Sequence, residues 1–306
     1  MNGDKNKIIR AAAIIAVAGN AVLSSLKIIA GLFSRSQALL SDGVDSLADV
    51  LISVMTLVIV KIMSKPADRE HPWGYGRAET VATAFLAFII FFAGAQVIIN
   101  AAPKLFSFEG PPAPSAAAII VTVISIVGKL LLAFSQFILG RRADSALVTA
   151  NAKNMASDVL ISTGVLAGLA ISVLTGVSYA DTLIAVLIGL WIIRTAIGIF
   201  LEANLELMDG INDMEPYRVI VDAVNATDGA SNPHRARIRR IAGLWSINFD
   251  INVNAKYSVL KAHRIASRVE KEIKRNLENL HDIVIHIEPE GDNAIEEYGL
   301  SQSDIE

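Results

Sequence analysis

The chain has no cysteine and few charged residues. Its 306 residues are 53% hydrophobic but only 19% charged, whereas a soluble domain is about a quarter charged. Disulfide bonds and thiolate metal sites are therefore excluded. No G-x-x-x-x-G-K-[ST] sequence is present either, so nucleotide turnover is not supported.

Long apolar runs are concentrated in residues 1–208, whereas 209–306 have the mixed composition of a soluble domain. A membrane-spanning helix needs roughly 20 mostly apolar residues. The first apolar run follows basic residues but is too long for a signal peptide, so it is interpreted as the first span. The sequence predicts six spans, at 9–33, 38–63, 80–101, 116–140, 147–174 and 179–202. Polar residues interrupt the second and the fifth span more than the others.

Basic residues predict the orientation of these spans. They are frequent at the N-terminus and in the connections after the second and fourth helices, whereas the opposite side has Arg35, Lys104 and a snorkelling Lys27. Both termini are therefore predicted to be cytoplasmic.

The C-terminal part alternates helical and strand patterns. Helices are predicted at 216–227 and 258–277, and strands at 235–241, 244–254 and 282–288. In 244–254 every second residue is apolar, which is typical of a strand buried on one face. The order α-β-β-α-β predicts a small α+β domain at 209–289 with helices on one face of its sheet. The acidic tail, 290–306, is predicted to be disordered.

A short acidic motif is repeated inside the apolar region. The residues DVLIS occur twice, beginning at Asp49 and at Asp158, and each is preceded four positions earlier by Asp45 or Asn154. Positions i and i+4 share a helix face, and both pairs lie roughly 10–17 Å below opposite membrane surfaces. A charge at that depth costs about 2.5–3.5 kcal/mol, so these groups predict a bound cation, exchangeable protons or both. Two antiparallel copies of one motif resemble the internal repeat of a transporter. The alternative interpretation is structural, namely that these polar residues only hold the helices together.

Four segments together resemble the cation diffusion facilitators, which are divalent-metal/proton exchangers: SDGVDSLADV, NAKNMASDV, HPWGYGRAE and IHIEP. The resemblance implies a homodimeric exporter in the inner membrane with a metallochaperone-like cytoplasmic domain and no organic cofactor. It also implies a tetrahedral metal site formed by Asp45, Asp49, Asn154 and Asp158. Many zinc-transporting members have His where this chain has Asn154. An all-oxygen site favours Mn²⁺ or Fe²⁺ over Zn²⁺, while Zn²⁺, Co²⁺ and Ni²⁺ stay open.

The resemblance implies two further metal sites. The first is in the loop after the second helix, where Asp68 and His71 match the family pattern but Tyr75 replaces a second His. The second would lie at a subunit boundary of the cytoplasmic domain and serve regulation or dimer stability. Its candidate ligands are His234, Asp250, His263, His286 and Glu288.

Three other functions are alternatives to transport. SDGVDSLAD partly resembles the signature of the CDP-alcohol phosphotransferases, but Asp49 stands in place of an Arg and the second acidic motif is on another helix. A metal sensor without transport is the second alternative. The basic run RARIRR (235–240) could indicate nucleic-acid binding, but it fits better as the polar face of a strand. We therefore expect a transporter, neither an enzyme nor a nucleic-acid-binding protein.

Overall fold

The chain folds into two units. The computed structural model describes residues 2–34, 37–105, 116–175, 180–291 and 299–301. The first unit comprises Met1–Asn204 and the second Leu205–Glu306. The boundary between them falls within the last turn of the sixth long helix, just before the boundary predicted at 208.

The first unit consists of six long helices. Their bounds are α1 Asn2–Ser34, α2 Gln37–Met63, α3 Ala78–Ala101, α4 Ala116–Ala143, α5 Ala146–Thr175 and α6 Ala180–Leu207, with a 3-10 turn at Ala102–Leu105. Within the described residues, five of these helices are long and apolar enough to cross a membrane. The helix α5 is not among these five, and side chains in its apolar second half lie outside the described residues. Its 30 residues still extend about 45 Å, which exceeds the thickness of a bilayer core.

The helices α1 and α4 pack closely because glycines lie at their contacts. A Cβ atom on Gly128 of α4 would lie 2.8 Å from Leu23 Cδ2, and one on Gly19 of α1 would lie 2.5 Å from Leu132 Cδ2. Small residues allow membrane helices to approach in this way. The helix α1 also packs on α2, and α4 packs on α5, so these four helices form the bundle that holds the acidic motifs.

The helices α3 and α6 share a second close contact. A Cβ atom on Gly94 would lie 3.1 Å from the carbonyl oxygen of Gly189. Around this contact, Leu86, Ile90 and Ile192 are fully buried in one apolar cluster that also includes residues of α2 and α5.

The second unit has the predicted α-β-β-α-β order. Its elements are α7 Glu215–Asn225, β1 Ser231–Ile241, β2 Leu244–Val253, α8 Val259–Asn276 and β3 Leu280–Pro289. The central strand β2 pairs antiparallel with β1 and parallel with β3. Ser258 caps α8 by accepting a hydrogen bond from the backbone N–H of Lys261. The helices α7 and α8 cover one face of the sheet, and the predicted α+β fold is confirmed.

Strand β2 is buried on both faces, whereas its sequence predicted burial on one. The apolar set behaves as predicted, with Ile247 and Phe249 at most 1% exposed. The polar residues Ser246 and Asp250 are also buried, at 1% and 4% exposed. The physical reason is that β2 is the central strand, so long side chains of its neighbours, such as Arg235, lie over this face.

The described residues of the acidic tail contact the sheet: the backbone N–H of Glu290 donates a hydrogen bond of 2.9 Å to the carbonyl oxygen of Val253 in β2. Leu300 exchanges two backbone hydrogen bonds with Ala236 of β1 and packs against the core of the second unit. The sequence predicted disorder from 290 onwards, but Gly299–Ser301 form an ordered pairing with β1. The predictions for 292–298 and 302–306 lie outside the described residues.

Candidate metal sites

The repeated motifs of α2 and α5 meet inside the bundle. Asp49 is 6% exposed and Asn154 is 5% exposed. The Asn154 side-chain amide donates a hydrogen bond of 3.1 Å from Nδ2 to Asp49 Oδ1. Two helix faces predicted to carry ligands are therefore in direct contact.

A lysine links the two acids of the repeat. Lys129 of α4 places its Nζ 2.5 Å from Asp49 Oδ2 and 2.5 Å from Asp158 Oδ2. The Lys129 side chain is only 7% exposed, so its positive charge lies in a nearly dry environment. The site therefore comprises two carboxylates, one amide and one ammonium group, contributed by three helices.

Lys129 is not among the site residues predicted from the sequence, although the sequence carries a signal for it. A single Lys interrupts the apolar run ISIVGKLLLAF in the middle of a predicted span. Burying its charge costs about as much as burying an acid, so a buried lysine at this depth indicates a partner of opposite charge.

Two further predicted residues, Asp45 of α2 and Lys27 of α1, have different outcomes in the structure. The backbone of Asp45 lies in α2 one turn before Asp49, but its side chain is outside the described residues. Lys27, predicted to snorkel outwards, is instead 2% exposed and donates a hydrogen bond of 2.9 Å to Ser46 Oγ. That prediction was wrong because Lys27 has a polar partner on α2, which the sequence of α1 alone could not show.

The loop after α2 folds around Asp68. Asp68 Oδ1 accepts hydrogen bonds from the backbone N–H groups of Glu70 and His71, and Oδ2 accepts one of 2.7 Å from the Tyr75 hydroxyl. The Tyr75 hydrogen bond, followed by that from His71, lowers the pKa of Asp68, and the pKa of Tyr75 is raised. The His71 ring stacks on Tyr75. Tyr75 thus satisfies the carboxylate that a metal would need.

Three predicted ligands meet on the sheet of the second unit. One candidate ligand atom from each of His234, Asp250 and Glu288 lies within 4.8 Å of the others. His234 Nε2 is 3.1 Å from Glu288 Oε2, while Nδ1 is 2.7 Å from the carbonyl oxygen of Asn232. This carbonyl favours a proton on Nδ1 in the neutral ring, which would leave Nε2 available to a metal ion. Within the described part of the chain, this is the one group of three such ligands.

Arg235 also lies in this cluster, beside two of the candidate ligands. Its Nη1 is 2.8 Å from Asp250 Oδ2 and 3.8 Å from Glu288 Oε1. RARIRR therefore contributes one ion-paired guanidinium to the cluster. The sequence predicted that this run lies on the polar face of a strand, but the pair with Asp250 was not predicted.

The two remaining predicted ligands are more exposed. His286 is paired in register with Asp250, and its Nε2 lies 3.7 Å from Glu288 Oε1 with the side chain 64% exposed. His263 is exposed on α8 and is not in the three-residue group. The structure thus brings together three of the five predicted ligands and places a fourth at their edge.

Comparison with known proteins identifies the class to which these sites belong. Residues 13–208 match the cation efflux transmembrane domain, and residues 213–290 match the cytoplasmic domain of cation efflux proteins. The chain therefore belongs to the cation efflux, or cation diffusion facilitator, family. It is a multi-pass membrane protein that belongs to the transporters for metal cation efflux, and it is not an enzyme. The comparisons do not support the phosphotransferase and sensor alternatives.

The relatives extend over nearly the whole chain. The manganese efflux system protein MneS of Bacillus subtilis is 29% identical over 281 residues, 90% of this chain and 94% of its own. The cation-efflux pump FieF of Cronobacter sakazakii is 31% identical over 296 residues, 94% of this chain and 95% of its own. Among solved structures, the metal-bound C-terminal domain of the CzcD transporter from Thermotoga maritima is 33% identical. It covers 26% of this chain and 94% of that domain, with a TM-score of 0.26.

Proposed function

We propose that the protein exports Mn²⁺ or Fe²⁺ from the cytoplasm in exchange for protons. The observation that carries this proposal is the meeting of Asp49, Asn154 and Asp158 in the middle of the bundle. Carboxylate and amide oxygens are hard ligands, which suit Mn²⁺ and Fe²⁺ better than sulfur or imidazole sites do. The name of one relative, a manganese efflux system protein, points to the same metal. Zn²⁺, Co²⁺ and Ni²⁺ are the competing substrates.

Asp45 completes the proposed transport site as the fourth ligand. It is one helical turn from Asp49 on α2, as Asn154 is from Asp158 on α5. A carboxylate that binds a proton loses much of its affinity for a metal ion. The same acids can therefore load metal from a neutral cytoplasm and release it to an acidic exterior.

The experiment measures Mn²⁺ uptake into proteoliposomes with an acidic interior, together with the rise of internal pH. We expect the wild-type protein to transport Mn²⁺ and to alkalinise the interior. Asp49→Asn and Asp158→Asn should each reduce both signals to the level of empty vesicles. Glu202→Gln removes an exposed acid of α6 in the same unit and should transport normally. Normal flux in Asp49→Asn or Asp158→Asn would remove these residues from the transport site.

Coupling and selectivity are tested with the same vesicles. Collapsing the pH gradient should abolish accumulation of Mn²⁺ above its external concentration. Uptake of Mn²⁺ and Fe²⁺ should exceed that of Zn²⁺, Co²⁺ and Ni²⁺ when the metals are supplied in pairs. Accumulation that persists without a gradient would refute proton exchange while leaving metal transport intact.

The cytoplasmic unit is proposed to bind a regulatory metal. His234, Asp250 and Glu288 provide one nitrogen and two carboxylate ligands, and His286 is close enough to join them by a change of side-chain rotamer. The proposed exporter is a homodimer in the inner membrane with both termini cytoplasmic. Light scattering of the detergent-solubilised protein tests the dimer, and a monomeric mass would overturn it.

The loop at Asp68 and His71 is a weaker proposed metal site. Its carboxylate already accepts three hydrogen bonds from the loop itself, so metal binding would have to displace the Tyr75 hydroxyl.

A further inference from the structure

We propose that Lys129 is a tethered competitor of the transported metal: its ammonium group and the metal compete for the same oxygens of Asp49 and Asp158. This inference rests on the proposed function, because it assumes that these two acids bind the transported ion. It assigns to α4 a part in the site that the repeated motifs of α2 and α5 do not reveal.

The geometry is that of a cation-binding site filled by a side chain. The Nζ of Lys129 is 2.5 Å from one carboxylate oxygen of Asp49 and 2.5 Å from one of Asp158. The side chain of Lys129 is 7% exposed, that of Asp49 8% and that of Asp158 28%, so water screens the Lys129–Asp49 pair poorly and reaches Asp158 more readily. A metal ion bound by both acids would need the oxygens that now accept hydrogen bonds from the ammonium group.

Electrostatic repulsion makes the two cations exclusive. An ammonium group within a few ångströms of a divalent ion would be strongly repelled in a poorly hydrated site. The metal must therefore displace Lys129 from at least one carboxylate in order to bind.

The displacement can take place in the side chain alone. The backbone of α4 is held against α1 at Gly128, where a Cβ atom would lie 2.8 Å from Leu23. By contrast, the lysine side chain has four rotatable carbons and a terminal group whose donors can be re-aimed. Lys129 can therefore leave the carboxylates and return after metal release, which would speed release and set the affinity.

This model predicts opposite effects on binding and turnover. Without the ammonium group, Mn²⁺ has no tethered competitor, so its dissociation constant should fall by about tenfold or more. Release should become slower, so KM and kcat for Mn²⁺ uptake should fall together. A purely structural ion pair would instead weaken binding or leave it unchanged when one partner is removed.

The test begins with equilibrium Mn²⁺ binding to the full-length protein at one fixed pH. Binding that remains in Asp158→Asn is subtracted, because it arises outside the transport site. Lys129→Met should bind about tenfold more tightly or better, and Lys129→Arg should stay close to wild type. Lys61→Met is the matched control, because Lys61 is an exposed cation of the same bundle and its loss should change nothing.

The absence of native cysteine allows a charge to be restored at this single position. Lys129→Cys can be alkylated with bromoethylamine, which creates a side chain of nearly the length and charge of lysine. A second sample is capped with a neutral methylthio group. The neutral form should bind Mn²⁺ tightly and the aminoethylated form should return to the wild-type affinity. Equal affinities in the two forms would overturn the proposal.

One measurement needs no variant. Mass spectrometry can follow the reaction of Lys129 with a small acylating reagent in the wild-type protein. Saturating Mn²⁺ should increase labelling of Lys129, because the displaced amine is no longer held by two carboxylates. Unchanged or reduced labelling overturns the competition even if every Lys129 variant fails to fold.

The outcomes separate this inference from the proposed function. If the wild-type protein transports Mn²⁺ but Lys129→Met binds it no more tightly, the competition fails and the transport site stands. If Asp158→Asn transports normally, the proposed site itself fails.

Discussion

Replacing Asn154 with histidine should shift transport towards zinc. Asn154 is 5% exposed, so a new side chain there is buried within the proposed site. The substitution removes the 3.1 Å hydrogen bond to Asp49, and a hydrogen bond to a charged group is worth about 1.5–3 kcal/mol. This loss is the same whichever metal is transported, and one ring nitrogen of the histidine can restore part of it.

The free-energy cost of losing this hydrogen bond is the same for both metals, so it cancels when the two metals compete in one assay. What remains is the exchange of one oxygen ligand for one nitrogen, and nitrogen favours Zn²⁺ over Mn²⁺. We expect Asn154→His to raise the Zn²⁺:Mn²⁺ uptake ratio about tenfold, which corresponds to about 1.4 kcal/mol. The assay is simultaneous uptake of both metals into vesicles at one pH gradient.

A neighbouring asparagine provides the control. Asn151 lies one turn earlier on α5 and is 2% exposed, so Asn151→His introduces the same ring at similar depth. Its effect on the ratio should be much smaller. An unchanged ratio in Asn154→His, or an equal change in both variants, would show that Asn154 does not select the metal.

Two further predictions concern the loop and the cytoplasmic cluster. The hydrogen bond to Asp68 raises the pKa of Tyr75, so Asp68→Asn should lower the pKa of Tyr75 towards its usual value near 10. The measurement is a spectrophotometric titration of tyrosinate absorbance, and an unchanged Tyr75 pKa would contradict the hydrogen bond. The same hydrogen bond raises the pKa of Tyr75 and lowers that of Asp68. Its contribution to loop stability should therefore be lost when Tyr75 deprotonates, as the pH rises through the raised tyrosine pKa. It should also be lost when Asp68 is protonated, as the pH falls through the lowered aspartate pKa. Arg235→Gln removes the cation paired with Asp250, so it should increase the affinity of the cytoplasmic unit for metal several-fold in calorimetry of the full chain. Arg237 is exposed on the same strand, and Arg237→Gln should leave this affinity unchanged. Equal affinities in the two variants would refute a role for Arg235.

The parts of the fold that depend on local pattern could be predicted from the sequence. The alternation in β2 placed Ile247 and Phe249 in the core, and both are buried. Helical spacing over 258–277 also predicts one apolar face that includes Val259, Val269 and Ile273; Val269 and Ile273 are fully buried, whereas Val259 at the start of α8 is 86% exposed. The predictions that succeed do so because a strand or helix buries residues at a fixed period, whichever element covers them.

The contacts that depend on tertiary structure could not be predicted in the same way. Lys129 pairs with Asp49, 80 residues away, and with Asp158, 29 residues away, and no periodicity within α4 identifies either partner. The burial of Asp250 on the polar face of β2 depends on the bulky neighbour Arg235. Sequence spacing identified the acids, but their counter-ions depend on how separate elements pack.

The two carboxylate clusters have the same chemical arrangement. In the membrane unit, Asp49 and Asp158 share the ammonium group of Lys129, and in the cytoplasmic unit Asp250 is paired with the guanidinium of Arg235. Buried acids without a counter-ion would repel one another and destabilise the fold, whereas acids neutralised by a permanent tight partner could not bind a metal. A basic side chain on a flexible stem satisfies both requirements, because it stabilises the acids and can still be displaced by a divalent ion. Under the proposed function, we therefore expect the affinity of each cluster for metal to depend on how strongly its basic residue is held as well as on the ligands.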